Sequence, residues 1–217
     1  MIWFLVFIFI FYAILIISLA TGFKKVDDFI PKNLDVKTSF SVIIPFRNEE
    51  ENLPLLLKSI SELNYPKALV EFILVDDDSS DDSVGIIQQV LDTISQKREI
   101  TQTDIKVLKN NRKSNSPKKD AITTAISEAK NDWIVTTDAD CMLPKNWLKV
   151  FDNFIQQNNP KMVVAPVNYK AKNTFLEQFQ LLDFMSMQGT TIGGFGIGFP
   201  FMCNGANLGY KKGEFLL

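Results

Sequence analysis

Two carboxylates one residue apart, Asp138 and Asp140, stand in Thr136-Thr137-Asp138-Ala139-Asp140-Cys141, directly after the apolar run Trp133-Ile134-Val135. A strand ending there delivers both acids to the carboxyl edge of a sheet, where open α/β sheets bind ligands. Paired hard oxygen donors suit Mg²⁺ or Mn²⁺ shared with a diphosphate, because such ions keep coordination positions for substrate oxygens. A solvated acidic turn is the plainer account of an isolated Asp-x-Asp, so the weight falls on what accompanies it.

A second acidic cluster, Asp76 to Asp82, follows the apolar run Glu71-Phe72-Ile73-Leu74-Val75. It fails as a calcium loop: Asp81 occupies the place of the turn glycine and Ile87 that of the bidentate glutamate. Asp81 and Asp82 suit a helix N-terminus, where acids complement the dipole. Asp76 and Asp77 lie where a strand releases the chain, and a carboxylate there can accept hydrogen bonds from a nucleobase or ribose. A divalent cation would relieve the repulsion between two acidic strand ends on one edge.

Alternating patterns place these groups. Phe40 to Pro45, Glu71 to Val75, Ile105 to Leu108, Trp133 to Thr137 and Met162 to Ala165 read as short buried strands. Between them, Leu53, Leu56, Leu57, Ile60 and Leu63 recur at helical spacing, with Pro54 in a first turn. Val84, Ile87, Val90, Leu91 and Ile94 mark another helix, with Ser79 or Ser80 as the expected cap. Pro117 is placed to open a helix bearing Ala121, Ile122, Ala125, Ile126 and Ala129. Pro144 is expected to open one bearing Trp147, Leu148, Phe151 and Phe154. The order implies an α/β fold with a mainly parallel sheet and helices on both faces.

Composition excludes several chemistries. The chain has 217 residues, 46% of them hydrophobic, a net charge of −2 and no histidine. Ser-His-Asp and Cys-His catalysis and histidine-ligated metal are therefore ruled out. Cys141 and Cys203 fit no zinc spacing. The acidic pI of about 5.3 gives no reason to expect nucleic-acid binding. Met1 to Ala20 carries no charge and Lys24 and Lys25 follow at once. Roughly 20 apolar residues cross a bilayer, and the basic pair places the remainder in the cytoplasm. Ser18-Leu19-Ala20 resembles a signal-peptide cleavage site, but the basic leading segment is missing. The expected division is an anchor over 1–23, a linker over 24–39 and a catalytic domain over 40–217.

Taken together, Ser41-Val42-Ile43-Ile44-Pro45-Phe46-Arg47-Asn48-Glu49-Glu50, Val75-Asp76-Asp77-Asp78-Ser79-Ser80-Asp81 and Thr137-Asp138-Ala139-Asp140 resemble family 2 glycosyltransferases, nucleotide-sugar enzymes of the GT-A fold. Lys118-Lys119-Asp120-Ala121-Ile122 resembles the family's Gly-Lys-x-x-Ala-Leu segment, with Pro117 in place of the glycine. Asn204 to Lys212 resembles its Gly-Ala-Asn-x-x-aromatic-basic segment. The resemblance implies that Pro45, Arg47 and Glu49 line the nucleotide end and that Asp77 (or Asp76) contacts the base. Lys118 is implied near the nucleotide or diphosphate, Asp138 at the ribose or metal, and Asp140 on the metal. Gly205 and Asn207 fall on the acceptor side.

The implied reaction is inverting, hexosyltransferase-type transfer from a UDP- or GDP-sugar to a glycan or lipid-linked acceptor at a membrane. The family's general base lies in a Glu-Asp motif beyond the Gly-Ala-Asn segment. The chain stops at Leu217, before that motif, so a fragment is expected. Asp183 and Glu214 stand outside any such motif, and Asp183 reads as the polar side of a helix. Two other readings stay open: a nucleotidyltransferase, whose first loop is usually Gly- and basic-rich, and a non-catalytic nucleotide-sugar-binding module. Phe175, Leu176, Phe179, Leu182 and Met185 form an apolar helical stripe. Gly193 to Gly198 follows a helical pattern rather than a strand, against a dinucleotide loop, and is expected as a mobile acceptor loop.

Overall fold

A computed structural model describes residues 1–96 and 104–215. In chain order the elements are α1 (Ile2–Phe23), β1 (Phe40–Phe46), α2 (Leu53–Ser61), β2 (Val70–Asp76), α3 (Ser83–Gln96), β3 (Asp104–Lys109), α4 (Pro117–Glu128), β4 (Trp133–Thr136), α5 (Trp147–Asn158), β5 (Met162–Val164), α6 (Phe175–Gly196), β6 (Leu208–Lys211) and α7 (Lys212–Phe215). They fall into two compact units, Pro31–Ala165 with Gly205–Leu217, and Met1–Ile30 with Pro166–Asn204.

The larger unit holds a six-stranded sheet in the order β3-β2-β1-β4-β6-β5. The first four strands are parallel, and β6 runs antiparallel to both β4 and β5. Strand side chains alternate between faces, and two cores result. Phe40, Val42, Ile44, Phe72, Leu74 and Val135 pack with the apolar sides of α2, α3 and α5. Ile43, Ile73, Val75 and Ile134 pack with Ala121, Ala125 and Ile126 of α4 on the opposite face. This is the expected α/β sheet with helices on both faces.

Two local expectations are corrected and one strand is added. Helix α3 starts at Ser83, and neither Ser79 nor Ser80 caps it. Ser79 Oγ instead accepts from the Asn48 amide, and the Ser80 amide donates to Asn48 Oδ1. Asp81 Oδ1 takes the Ser83 amide at the helix start. Pro144 lies in the turn before α5, its carbonyl accepting from Trp147 N, and the helix begins at Trp147. The added strand is β6, for which the sequence offered no pattern. Four residues around a glycine give almost no periodicity to read, and the glycine itself is required: a Cβ on Gly209 would stand 2.8 Å from the Phe151 ring. The side chain of Ile94 lies outside the described residues.

Residues 31–38 are held against α5. Asn153 Oδ1 accepts from Lys32 N, and its amide donates to Lys32 O. Buried Asp152 accepts from the Thr38 amide and hydroxyl, while the Tyr65 hydroxyl donates to Thr38 O.

In the smaller unit, α1 is long and apolar enough to cross a membrane, and its apolar window is not covered by protein. The Gly193-to-Gly198 run differs from the expected mobile loop, because α6 continues helically through Gly196. Glycine is needed there by close approach to α1. A Cβ on Gly196 would lie 1.9 Å from Gly22 O, and one on Gly193 would lie 2.4 Å from Leu19 O. Small residues that let backbones meet are the means by which helices associate in lipid. Gly196→Leu is therefore expected to force the two helices apart, at roughly 1–3 kcal/mol. A thermal melt of the purified full chain reads the loss, and an unchanged midpoint would refute the packing.

Candidate functional site

Parallel pairing brings the carboxyl ends of β1, β2 and β4 to one edge, with Phe46 opposite Asp76 and Ile43 opposite Thr136. Strand order reverses between β1 and β4, the switch point at which such sheets open a crevice. A cleft of about 440 Å³ lies there. Seven of the residues singled out in the sequence line it: Pro45, Arg47, Glu49, Asp77, Lys118, Asp138 and Asp140.

The walls are fixed by loops that bind one another. After β1, Asn48 adopts a positive φ of 54°, and after β2, Asp78 adopts 65°; Asn and Asp are the non-glycine residues that tolerate this region best. The Glu49 amide donates to Ser83 Oγ and the Glu50 amide to Asp81 Oδ2. Glu50 Oε2 in turn accepts from the Asp82 amide. These bonds set the start of α3 and hold Glu49 at the cleft.

Asp77 and Asp76 have different surroundings. Asp76 Oδ1 accepts from the Ser79 amide and closes the turn, and Asp76 is not among the residues lining the cleft. Buried Asp77 accepts from Arg112 through both oxygens, Nε to Oδ1 at 2.7 Å and Nη2 to Oδ2 at 2.8 Å. Asn110 Nδ2 adds a bond to Oδ1 at 2.6 Å. The Arg112 guanidinium, helped by Asn110, holds the Asp77 carboxyl below the usual aspartate range despite its burial. Asp77 is thus ionised at neutral pH.

Arg112, Asn110 and Asp120 are site residues that the sequence reading missed. Buried Asp120 accepts from the amides of Lys113 and Ser114 and so pins the loop that carries Arg112 onto the first turn of α4. These backbone hydrogen bonds keep its carboxyl below the ordinary range. A basic residue in a polar loop after the third strand was the available signal, but its partner lies 35 positions away.

On the α4 side, Lys118 Nζ donates to Asp138 Oδ1 at 2.5 Å. Asp140 is exposed, and the Cys141 thiol lies 3.8 Å from its Oδ1. Burial pushes the Cys141 thiol up, away from the reactive thiolate. Among the described residues no cluster of three or more His, Cys, Asp or Glu could enclose a metal. Asp138 and Asp140 supply two hard oxygens at an open cleft, a donor set that fits Mg²⁺ or Mn²⁺ sharing its remaining positions with a diphosphate. Gly205 and Asn207 lie outside the cleft lining. Gly205 O accepts from Thr136 Oγ1, and Asn207 Oδ1 accepts from Trp147 Nε1.

A family model, Glycosyl transferase family 2, matches residues 41–211. The chain belongs to that family. Poly(ribitol-phosphate) beta-N-acetylglucosaminyltransferase TarS of Staphylococcus aureus is 26% identical over 125 residues, 58% of this chain and 20% of the relative. Undecaprenyl-phosphate 4-deoxy-4-formamido-L-arabinose transferase of Photorhabdus laumondii is 37% identical over 105 residues, 48% of this chain and 30% of the relative. The chain thus matches under a third of the length of either. The structure of mannosyltransferase PcManGT from Pyrobaculum calidifontis, in complex with GDP-Man and Mn²⁺, superposes over 92% of this chain and 52% of its own, with a TM-score of 0.66 at 17% identity. That likeness shows the fold. S. aureus TarS 1–349 in complex with UDP-GlcNAc superposes over 63% of this chain and 36% of its own, with a TM-score of 0.50 at 26% identity.

Proposed function

We propose that the cleft binds a nucleoside-diphosphate sugar (UDP- or GDP-linked) and that the protein transfers a hexose-type sugar, with inversion, to a glycan or lipid-linked acceptor at a membrane. The observation that carries this is the convergence of Arg47, Glu49, Asp77, Lys118, Asp138 and Asp140 on one cleft in a family 2 glycosyltransferase domain. TarS, named for a poly(ribitol-phosphate) polymer, and the undecaprenyl-phosphate transferase, named for a lipid phosphate, support a polymeric or lipid-linked acceptor. Residues 1–23 act as the membrane anchor, residues 24–39 as the link to the catalytic domain, and the catalytic domain faces the cytoplasm.

Asp77 receives the base, while Pro45, Arg47 and Glu49 flank the nucleoside. Asp138 contacts the ribose or, with Asp140, holds Mn²⁺ or Mg²⁺. When bound, the metal supplies Lewis-acid stabilisation of the charge gathering on the departing diphosphate. Lys118 pairs with Asp138; with Asp138 engaged on a metal, the Lys118 ammonium would be left to face the diphosphate. An acceptor oxygen, of a hydroxyl or of a lipid phosphate, bonds to the anomeric carbon as the carbon–oxygen bond to the diphosphate breaks; a hydroxyl gives its proton to a base, and an ionised phosphate oxygen has none to lose. Gly205 and Asn207 shape the acceptor side.

The test is nucleoside diphosphate release by the full chain in detergent, from UDP- and GDP-sugars with Mn²⁺ and polyprenyl-phosphate or glycan acceptors. Release that stops on adding EDTA is expected. Binding of donor without any release would instead favour a nucleotide-sugar-binding module. Lys118→Met should weaken donor binding about tenfold, since a hydrogen bond to a charged group contributes roughly 1.5–3 kcal/mol. Calorimetry measures that change, and unchanged affinity would remove Lys118 from the site.

A further inference from the structure

Helix α6 presents an apolar stripe that nothing described so far uses. The step from that stripe to a partner rests on α1 as the membrane anchor. The buried residues of α1 are Leu19 and Gly22, the two that Gly193 and Gly196 of α6 approach at backbone distance. The helices therefore meet at the end of α1 that Lys24 and Lys25 follow, and most of α1 is left uncovered. Helix α6 is apolar on two sides. On one, Leu181 and Phe184 are half-buried and Thr191 is buried, with the Tyr169 ring centroid 6.3 Å from that of Phe184. On the other, Phe175, Phe179, Leu182 and Met185 stand at i, i+4, i+7 and i+10, the spacing of one helix face. They are 90%, 61%, 67% and 59% exposed. A contiguous bare apolar surface of this kind marks a protein partner or a membrane.

The surroundings favour lipid. The stripe belongs to the same compact unit as α1, whose apolar surface is also uncovered. Exposed Phe199 and Phe201 continue it beside Gly194, near the α6 residues that meet α1. Among the described residues α1 is the one helix apolar enough to span; α6 carries Glu177, Asp183 and three glutamines. A helix with an apolar side and low net hydrophobicity settles in the interface plane instead of crossing. Glu177 turns its carboxylate back onto the Lys172 amide, and exposed Asp183 sits on the flank of the stripe, where it keeps its water. We propose that α6 is a second membrane contact, lying in the interface beside the exit of α1 with Phe175, Phe179, Leu182 and Met185 among the upper acyl chains. Lys24, Lys25, Lys170 and Lys172 are matched by as many acids in this unit. The contact is therefore driven by apolar burial and needs no anionic lipid.

Spin labelling of the full chain in phosphatidylcholine nanodiscs tests this, one cysteine at a time on a Cys141→Ser, Cys203→Ser background. Labels at Phe179→Cys and Leu182→Cys are expected to be reached by oxygen and shielded from a water-soluble nickel chelate, at a depth of roughly 5–10 Å. A label at Gln180→Cys, exposed on the far side of the helix from Leu182, should stay open to the chelate. Circular dichroism melts show that each labelled chain is folded. Stripe labels as open to the chelate as the one at Gln180→Cys overturn the proposal. Stripe labels shielded from both reagents, or broadened by a neighbouring label, place a protein or a second copy of this chain on the stripe and overturn it too. Shielding that appears only after phosphatidylglycerol is added overturns the apolar account of the contact. A label at Ile10→Cys in α1 separates the two readings. If oxygen reaches it while the stripe stays in water, the anchor stands and the α6 contact is wrong. If the chelate reaches it, the anchor reading fails and this proposal with it.

Discussion

Asp140→Asn is expected to lower turnover about 10²–10⁴-fold while leaving the fold intact. The two halves of that expectation have separate causes. Asp140 is exposed and, among the described residues, only the Cys141 thiol reaches its carboxylate, so its loss falls in the class of surface changes that move stability by about 0.5 kcal/mol or less. The proposed role is different in scale. An amide oxygen carries no full charge, and the substitution removes one of two carboxylates from the metal's donor set. Lewis-acid stabilisation of a leaving diphosphate contributes several kcal/mol, and each ~1.4 kcal/mol is a factor of ten in rate. Steady-state release of nucleoside diphosphate, measured beside a melting curve, separates the effects. Full turnover in the folded variant would remove Asp140 from the metal.

Glu71→Ala should do the reverse, costing stability and sparing donor binding in the molecules that fold. Glu71 is 2% exposed near the start of β2, between β1 and β3. Its Oε1 accepts from the Ser41 hydroxyl and the Lys130 amide, both at 2.6 Å, and Lys106 Nζ donates to Oε2 at 3.1 Å. One side chain thus ties β1, β3 and the approach to β4 together at the edge opposite the cleft. Removing it strands three donors, of which the Ser41 hydroxyl is fully buried. Lys106 remains about a third exposed and can rehydrate, so the cost is about 2–4 kcal/mol.

The pH dependence has a definite sign. Burial pushes the Glu71 carboxyl up, but the bonds from Ser41, Lys130 and Lys106 together outweigh it and hold the group below the usual glutamate range. A carboxyl whose folded pKa is depressed contributes stability above its unfolded pKa, about 4.3 for Glu, and loses it as pH falls through the folded value. The gap between wild type and Glu71→Ala in urea should therefore be full at pH 7 and shrink below about pH 4. A gap that widens on acidification would contradict the assignment.

Much of the fold was legible because the buried strands are continuous apolar runs: Phe40–Phe46 and Val70–Asp76 match their sequence patterns to within a residue or two. Strand β6 was not, because Gly209 and its neighbours lack periodicity and only the Phe151 ring explains the glycine. Helix α6 ran past its expected end for a similar reason. Gly193 and Gly196 read locally as loop residues, yet their requirement is set by α1 some 170 positions earlier. The same distinction holds at the cleft. Residues carried on strand ends, such as Asp77 and Asp138, could be placed from position alone. Arg112 and Asn110 could not, since their roles come from a carboxylate in a different loop.

The proposed donor site rests on a diphosphate–metal site built on Asp138 and Asp140. Its most direct test is Mn²⁺ binding to the full chain in detergent, followed by electron paramagnetic resonance, with and without UDP or GDP. Nucleotide is expected to lower the free-Mn²⁺ signal sharply with the wild-type chain and much less with Asp140→Asn. Mn²⁺ uptake that is indifferent to nucleotide, or equal in the two proteins, would contradict it.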